Sequence, residues 1–273
     1  MTEPVLPALR LEVASGQRVL LRQRERVVLL VRGDLRNYGL QVHRTGGYES
    51  PLPPLHADLV RREPSWLHQY EAWLRASSVG PLHAGTWTLE TRPLPAYSMH
   101  ADLVRSYPSA YLDWFGDGWN GLLPLRELPR EDAGRVKAYR KQAVDGTLPP
   151  LLLWWVSAFD GWLILDGHCR LVAAHAEGIE PRVVQLSLAM EPADHADVIH
   201  SATARHEQTM ASIERQIAAG VPGAERAAER MQRAFEDLVS EGFAVRTRGW
   251  PLRGGVPEWE RIAAESSGPG FSG

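Results

Sequence analysis

The sequence predicts an α+β protein, and three observations carry the prediction. Strand-type patterning runs from Leu9 to about Val42, strands and helices alternate between about 119 and 190, and the chain from 191 to 265 is helical in period. A β-rich module, a central mixed sheet with helices and a C-terminal helical hairpin are therefore expected in that order.

The first module, residues 1–118, opens with short apolar runs: Arg10-Leu11-Glu12-Val13, Val19-Leu20-Leu21-Arg22 and Val27-Val28-Leu29-Leu30-Val31. Polar or glycine-bearing stretches separate them, as in a small antiparallel meander. Gly46-Gly47 and the prolines Pro51, Pro53 and Pro54 close it, since neither residue type continues a ladder. An internal repeat follows: His56-Ala57-Asp58-Leu59-Val60-Arg61 recurs as His100-Ala101-Asp102-Leu103-Val104-Arg105, and Pro64-Ser65 as Pro108-Ser109. Two readings are open, a duplicated helix or loop whose Leu and Val fill similar niches, and a repeated polar His/Asp/Arg surface. A metal site inside one copy is disfavoured, because residues two apart do not face each other on a helix. Between the copies, Trp66 to Leu74 is helical in period and Thr86 to Thr91 alternates like an exposed strand. Gly116, Gly118 and Gly121, set around Trp114 and Trp119, mark a module boundary. The tryptophans of this half read as core and edge fillers.

The central region, residues 119–190, begins with a strand or strand-like lead-in over Leu122 to Leu128. A charged helix follows from Glu131 to about Val144, and Pro149-Pro150 punctuates it. Leu151 to Val156 is an apolar run of strand length, Ser157 to Gly161 a turn, and Trp162 to Leu165 the next strand. A helix over 168–177 ends at Gly178, a natural C-cap, and Arg182 to Leu186 is the last strand. Beyond it, helices are expected over 193–219 and 224–241, broken at Gly220-Val221-Pro222-Gly223; Met231, Phe235, Leu238 and Val239 recur at 3.6-type spacing. Residues 266–273 are Gly/Ser-rich and are expected to be a disordered tail.

At 273 residues, 44% of them hydrophobic and 23% charged, the chain has material for a core without staples. A single cysteine, Cys169, excludes an internal disulfide framework and any multi-cysteine zinc site. The formal net charge of −3 disfavours DNA as a partner. Between Arg205 and Arg248 seven arginines meet seven acidic residues, so the hairpin carries no basic face by count. No stretch reaches the roughly 18 apolar residues of a spanning helix, and the Met-Thr-Glu-Pro start lacks a signal-peptide pattern, so a cytoplasmic protein with no membrane partner is expected.

Chemistry is expected where Leu163-Ile164-Leu165-Asp166-Gly167-His168-Cys169-Arg170-Leu171-Val172-Ala173-Ala174 compresses a buried strand, a polar turn and a helix start. Backbone N–H groups and a cation meet there, at a place suited to an anion such as phosphate. Gly167 permits close backbone approach, and a planar guanidinium at Arg170 pairs bidentately with phosphate oxygens. The blander reading makes Asp166 and His168 helix caps and leaves Arg170 on a solvated face. Cys169 is either a thiol with a lowered pKa beside Arg170 or an inert small apolar residue.

Leu148-Pro149-Pro150-Leu151-Leu152, the glycine turn, the Asp-Gly-His-Cys-Arg segment, the alanine-rich helix and Gly178 together resemble the ParB/sulfiredoxin-like superfamily, over about residues 120–190. The resemblance implies a nucleotide-phosphate site, with a nucleoside triphosphate (CTP or ATP) and Mg²⁺ as cofactors and with NTP hydrolysis or phosphoryl transfer as the activity. It implies Gly167 as the turn glycine, Arg170 as the phosphate-contacting arginine and His168 as the first polar position after the glycine, with Asp166 and Cys169 completing the binding set. Glu127, beside Arg126 on the lead-in strand, is the expected general base or Mg²⁺ holder, and His168 the other catalytic candidate. The chain departs from the family at Cys169, which stands where the usual pair has its second His. The order Gly-His-Cys-Arg, where sulfiredoxins have Gly-Cys-His-Arg, disfavours reductase chemistry. Two other classes stay open: a DNA-associated or nuclease-like protein holding a backbone phosphate at the same turn, and a non-catalytic scaffold with a protein partner on the N-terminal module or the hairpin. Under the phosphate reading, Arg170→Ala is expected to abolish phosphate binding and leave the fold intact.

Overall fold

The computed structural model describes residues 6–34, 39–55, 60, 65–91, 103–113, 121–221, 223–237 and 246–267. Contacts divide the chain into two compact units, Met1–Ser187 with Thr247–Gly273, and Leu188–Arg246. The protein is mixed α+β, with two mixed sheets and six helices among the described residues.

In the first unit, β1 (Leu9–Ala14), β2 (Arg18–Gln23), β3 (Arg26–Asp34) and β4 (Gly39–Arg44) form the expected antiparallel meander. Their near-continuous apolar runs have a physical reason: the sheet is covered on both faces. Leu21, Leu29 and Val31 point into the main core, while Leu20 and Leu30 point the other way, against Trp259 and Ile262. Those two belong to α6 (Gly255–Ser267), and the segment before it, β11 (Gly249–Pro251), pairs parallel with β1. The helical region expected over 191–265 is interrupted by this strand, whose three residues are too few to show alternation. Ser266 and Ser267, expected at the start of a disordered tail, close α6. Residues 268–273 lie outside the described residues, as do Leu238 and Val239.

The second sheet is ordered β5-β10-β8-β9-β7. Its strands are β5 (Trp87–Thr91), β7 (Leu122–Pro124), β8 (Leu151–Val156), β9 (Gly161–Asp166) and β10 (Val183–Leu188). The first sheet ends in β6 (Ser109–Asp113), antiparallel to β4. Helices α2 (Gly134–Val144) and α3 (His168–Ala176) interleave with the second sheet's strands, so the order from β7 to β10 is the β-α-β-β-α-β that the patterning predicts. One face of this sheet, through Leu152, Trp154, Leu163 and Leu165, shares its core with the first sheet. The opposite face, through Leu151, Leu153 and Ile164, takes Leu171 of α3, and α2 packs on α3 through Val136, Tyr139, Val172 and Ala173. Helix α1 (Trp66–Ala76) adds Tyr70 and Leu74 to the shared core.

The second unit holds α4 (Pro192–Ala218) and α5 (Ala224–Asp237), with His206 stacked on Phe235 at 4.1 Å. No helix among the described residues is long and apolar enough to cross a membrane. Most of the repeat, including His56 to Leu59, Arg61 and His100 to Asp102, lies outside the described residues, as do Trp114, Gly116, Gly118 and Trp119. Of the second copy, Leu103 bridges to Leu122 and the Arg105 guanidinium lies 2.7 Å from His175 Nε2.

Candidate functional site

The Asp166–Arg170 turn sits where β9 passes into α3, and backbone geometry selects its glycine. Gly167 has φ +107°, and a Cβ there would lie 2.6 Å from Leu151 Cδ2 and 3.2 Å from Leu151 Cα. Only glycine meets both conditions without a shift in its neighbours. No side chain caps α3, so the helix starts with first-turn amides that neither Asp166 nor His168 satisfies.

Asp166 and Arg170 bind each other instead. The Arg170 side chain is fully buried, and its guanidinium donates to Asp166 Oδ2, to the Pro150 carbonyl and, at 2.9 Å, to Tyr70 Oη. Tyr70 Oη in turn donates to the Pro150 carbonyl at 2.6 Å, and Ser50 Oγ donates to Asp166 Oδ1 at 2.7 Å. Burial opposes the Arg170 charge, but Tyr70 and Asp166 beside it outweigh that and raise its pKa. The arginine thus ties α3 to α1 and to the entry of β8.

His168 also faces inward. It is 8% exposed, and its Nε2 accepts the Arg126 backbone N–H at 3.2 Å. Burial first, then the charges of Arg126, Arg170 and Arg44, push the imidazole down from 6.5 to about 3. The ring is neutral at pH 7, with its proton on Nδ1. Arg126 is held by its Nε–H, which donates to the Tyr48 carbonyl at 3.0 Å, and it lies 5.6 Å over the Tyr48 ring; Tyr48 Oη donates to the Leu165 carbonyl. Glu127 is exposed and does not lie on a strand, because β7 ends at Pro124. The lead-in strand expected through Leu128 is cut short by the bend at Leu125 and Arg126 that brings the Arg126 amide to His168.

Cys169 is half-buried against the α2–α3 core. Burial pushes its thiol up, with Arg135 pulling the other way, so the lowered-pKa expectation is corrected: desolvation outweighs the nearby cations. Arg135 itself is exposed on α2, 6.0 Å over the Tyr139 ring, and its charge couples to Cys169 and Asp166.

Around the contiguous Asp166–Arg170 turn the structure sets Ser50, Tyr70 and Arg135, which no local motif marks, and Arg126, which the sequence already places beside Glu127. A further cation, Arg44, is 2% exposed and donates to the carbonyls of Ser106, Pro108 and Pro124. Burial lowers its pKa to about 10, and it adds to the positive field on His168. Among the described residues no group of three or more His, Cys, Asp or Glu side chains stands close enough to hold a metal ion. Comparisons with protein-family models, with curated proteins and with solved structures return no match to this chain.

Proposed function

We propose that the protein binds the phosphate groups of a nucleoside triphosphate, CTP or ATP, at the N-terminus of α3, within a ParB/sulfiredoxin-like arrangement of the second sheet. The observation that carries this reading is an uncapped helix start set in a field of arginines, Arg44, Arg126, Arg135 and Arg170, with Asp166 the carboxylate paired into it. Helix N-termini and guanidinium groups both favour anions.

The roles differ from those the motif alone implies. Phosphate contact falls to the first-turn amides and to the exposed Arg126 and Arg135, while Arg170 and His168 position the turn from behind it. Mg²⁺ fits this arrangement as an ion carried in on the phosphates, since it commonly keeps its waters and takes only one or two carboxylates from a protein. Asp166 and Glu127 are the carboxylates of the turn and of the Arg126 segment. Hydrolysis or phosphoryl transfer would use Glu127 as base, because His168 Nε2 already accepts a backbone N–H and its ring stays neutral at pH 7. That internal commitment of His168 and Arg170 also favours a second reading, nucleotide binding without turnover.

The test is a thermal-shift titration with ATP, CTP, GTP and inorganic phosphate, with and without Mg²⁺. A ligand at 100 times its Kd adds about 2.7 kcal/mol to the folded state. One triphosphate is expected to raise the melting temperature, and Arg135→Ala to weaken it about fivefold, the value of one exposed charge contact. Flat melting curves with every nucleotide would overturn the proposal. A shift without phosphate release over hours would select binding without turnover.

A further inference from the structure

A second concavity lies away from the α3 turn, between α1, the loop after it, β5 and β10. It encloses about 560 Å³, within the range that holds small organic ligands. Its walls are Leu74, Leu82, Trp87, Leu89 and Leu186, and its polar groups are Glu71, Arg75 and His83. We propose that this pocket is a binding site for a small, neutral, planar heteroaromatic molecule that carries a hydrogen-bond donor. The inference does not rest on the nucleotide reading.

Three observations give the ligand its class. The flat wall is aromatic: Trp87 is half-buried, packs edge-on to His83 at 5.2 Å and lies 6.5 Å from Trp154, and His83 meets Trp250 at 5.1 Å. A ring stacked on Trp87 would extend this set.

The charges cancel. Glu71 and Arg75 form an ion pair at 2.9 Å across one helical turn, and His83 is held below its ordinary pKa by burial, so it is neutral at pH 7. The lining itself thus offers a charged ligand no unpaired counter-charge, and Arg248, exposed and 5.6 Å over the Trp250 ring, acts on His83 from outside it.

The His83 ring of the lining calls for a donor on the ligand. His83 Nδ1 lies 2.8 Å from the Ala84 carbonyl and must donate to it, which leaves Nε2 an acceptor seeking a donor.

Quinazolin-4(3H)-one, a flat neutral bicycle with adjacent N–H and C=O groups, is the probe. Saturation-transfer NMR on the full chain is expected to show it binding, and naphthalene, equally flat but without polar groups, to bind at least fivefold more weakly. Leu89→Trp, which fills the pocket from a half-exposed edge-strand position, is expected to abolish transfer with the melting temperature within a few degrees of the parent. His83→Phe keeps the ring contacts and removes the acceptor, and is expected to weaken the probe about five- to tenfold. Absence of transfer with the folded parent protein, transfer that survives Leu89→Trp, or equal binding of the probe and naphthalene would each overturn the proposal.

Discussion

Replacing Arg170 with alanine is the sharpest test of how the α3 turn is held. The guanidinium is fully buried, and three partners face it: Asp166 Oδ2, the Pro150 carbonyl and Tyr70 Oη. Tyr70 and Pro150 keep each other after the change, since Tyr70 Oη donates to that carbonyl at 2.6 Å. Asp166 does not fare so well, retaining only the Ser50 hydroxyl and whatever water reaches a carboxylate that is 22% exposed. Removing one partner of a buried ion pair costs about 3–5 kcal/mol, and the partial exposure of Asp166 argues for the lower end, about 3 kcal/mol. For a unit of this size that is a fall in melting temperature of roughly 6–12 °C. The expectation drawn from the motif alone, an intact fold with phosphate binding lost, thereby gives way to a loss of stability. Thermal melts and urea unfolding followed by circular dichroism check it. The double variant Asp166→Asn with Arg170→Met removes both charges and is expected to recover part of the loss, because no carboxylate is then left unpaired. A melting temperature for Arg170→Ala within about 2 °C of the parent would refute the argument and return Arg170 to the role of a phosphate contact.

Three further outcomes follow from the same geometry. His168 titrates near 6.5 when unfolded and near 3 when folded, so the unfolded chain binds the extra proton as the pH falls; stability that is complete above pH 6.5 is expected to decline between 6.5 and 3, by about 5 kcal/mol in all, and urea midpoints across that range should flatten in His168→Gln. Gly167→Ala forces a side chain into φ +107° and against Leu151, and equilibrium unfolding is expected to show a loss of about 2–3 kcal/mol. Trp259 on α6 is fully buried and donates its indole N–H to the Val19 carbonyl at 3.1 Å; Trp259→Ala is expected to cost about 3–5 kcal/mol in the same measurement, and a neutral result would mean that α6 does not cover the first sheet.

Patterning made the elements legible wherever the physics that forms them is local. The apolar runs of β2, β3 and β8, the Gly178 helix end and the strand–turn–helix at Asp166 all follow from residues within one or two turns of each other. What escaped the reading is set by distant pairs. β11 is a strand because β1, far back in the sequence, offers it a parallel edge, and the same return lays α6 over Leu20 and Leu30. Nothing within Gly249-Trp250-Pro251 announces that.

The candidate site divides along the same line, and there the division decides function. Its five central residues are contiguous and could be named from the chain, but what a side chain does depends on which partners have already claimed it. Arg170 is claimed by Tyr70 and His168 by the Arg126 amide, contacts that span 100 and 42 positions. An arginine at a helix start reads as an anion ligand only while its other partners are unknown. With them in place, the motif's cation becomes the support of the turn, and the proposed anion binding falls to the uncapped amides of α3 and to two exposed arginines, Arg126 and Arg135 on the neighbouring helix. A phosphate contact by Arg170 would first have to break a buried ion pair, and the exposed arginines face no such cost.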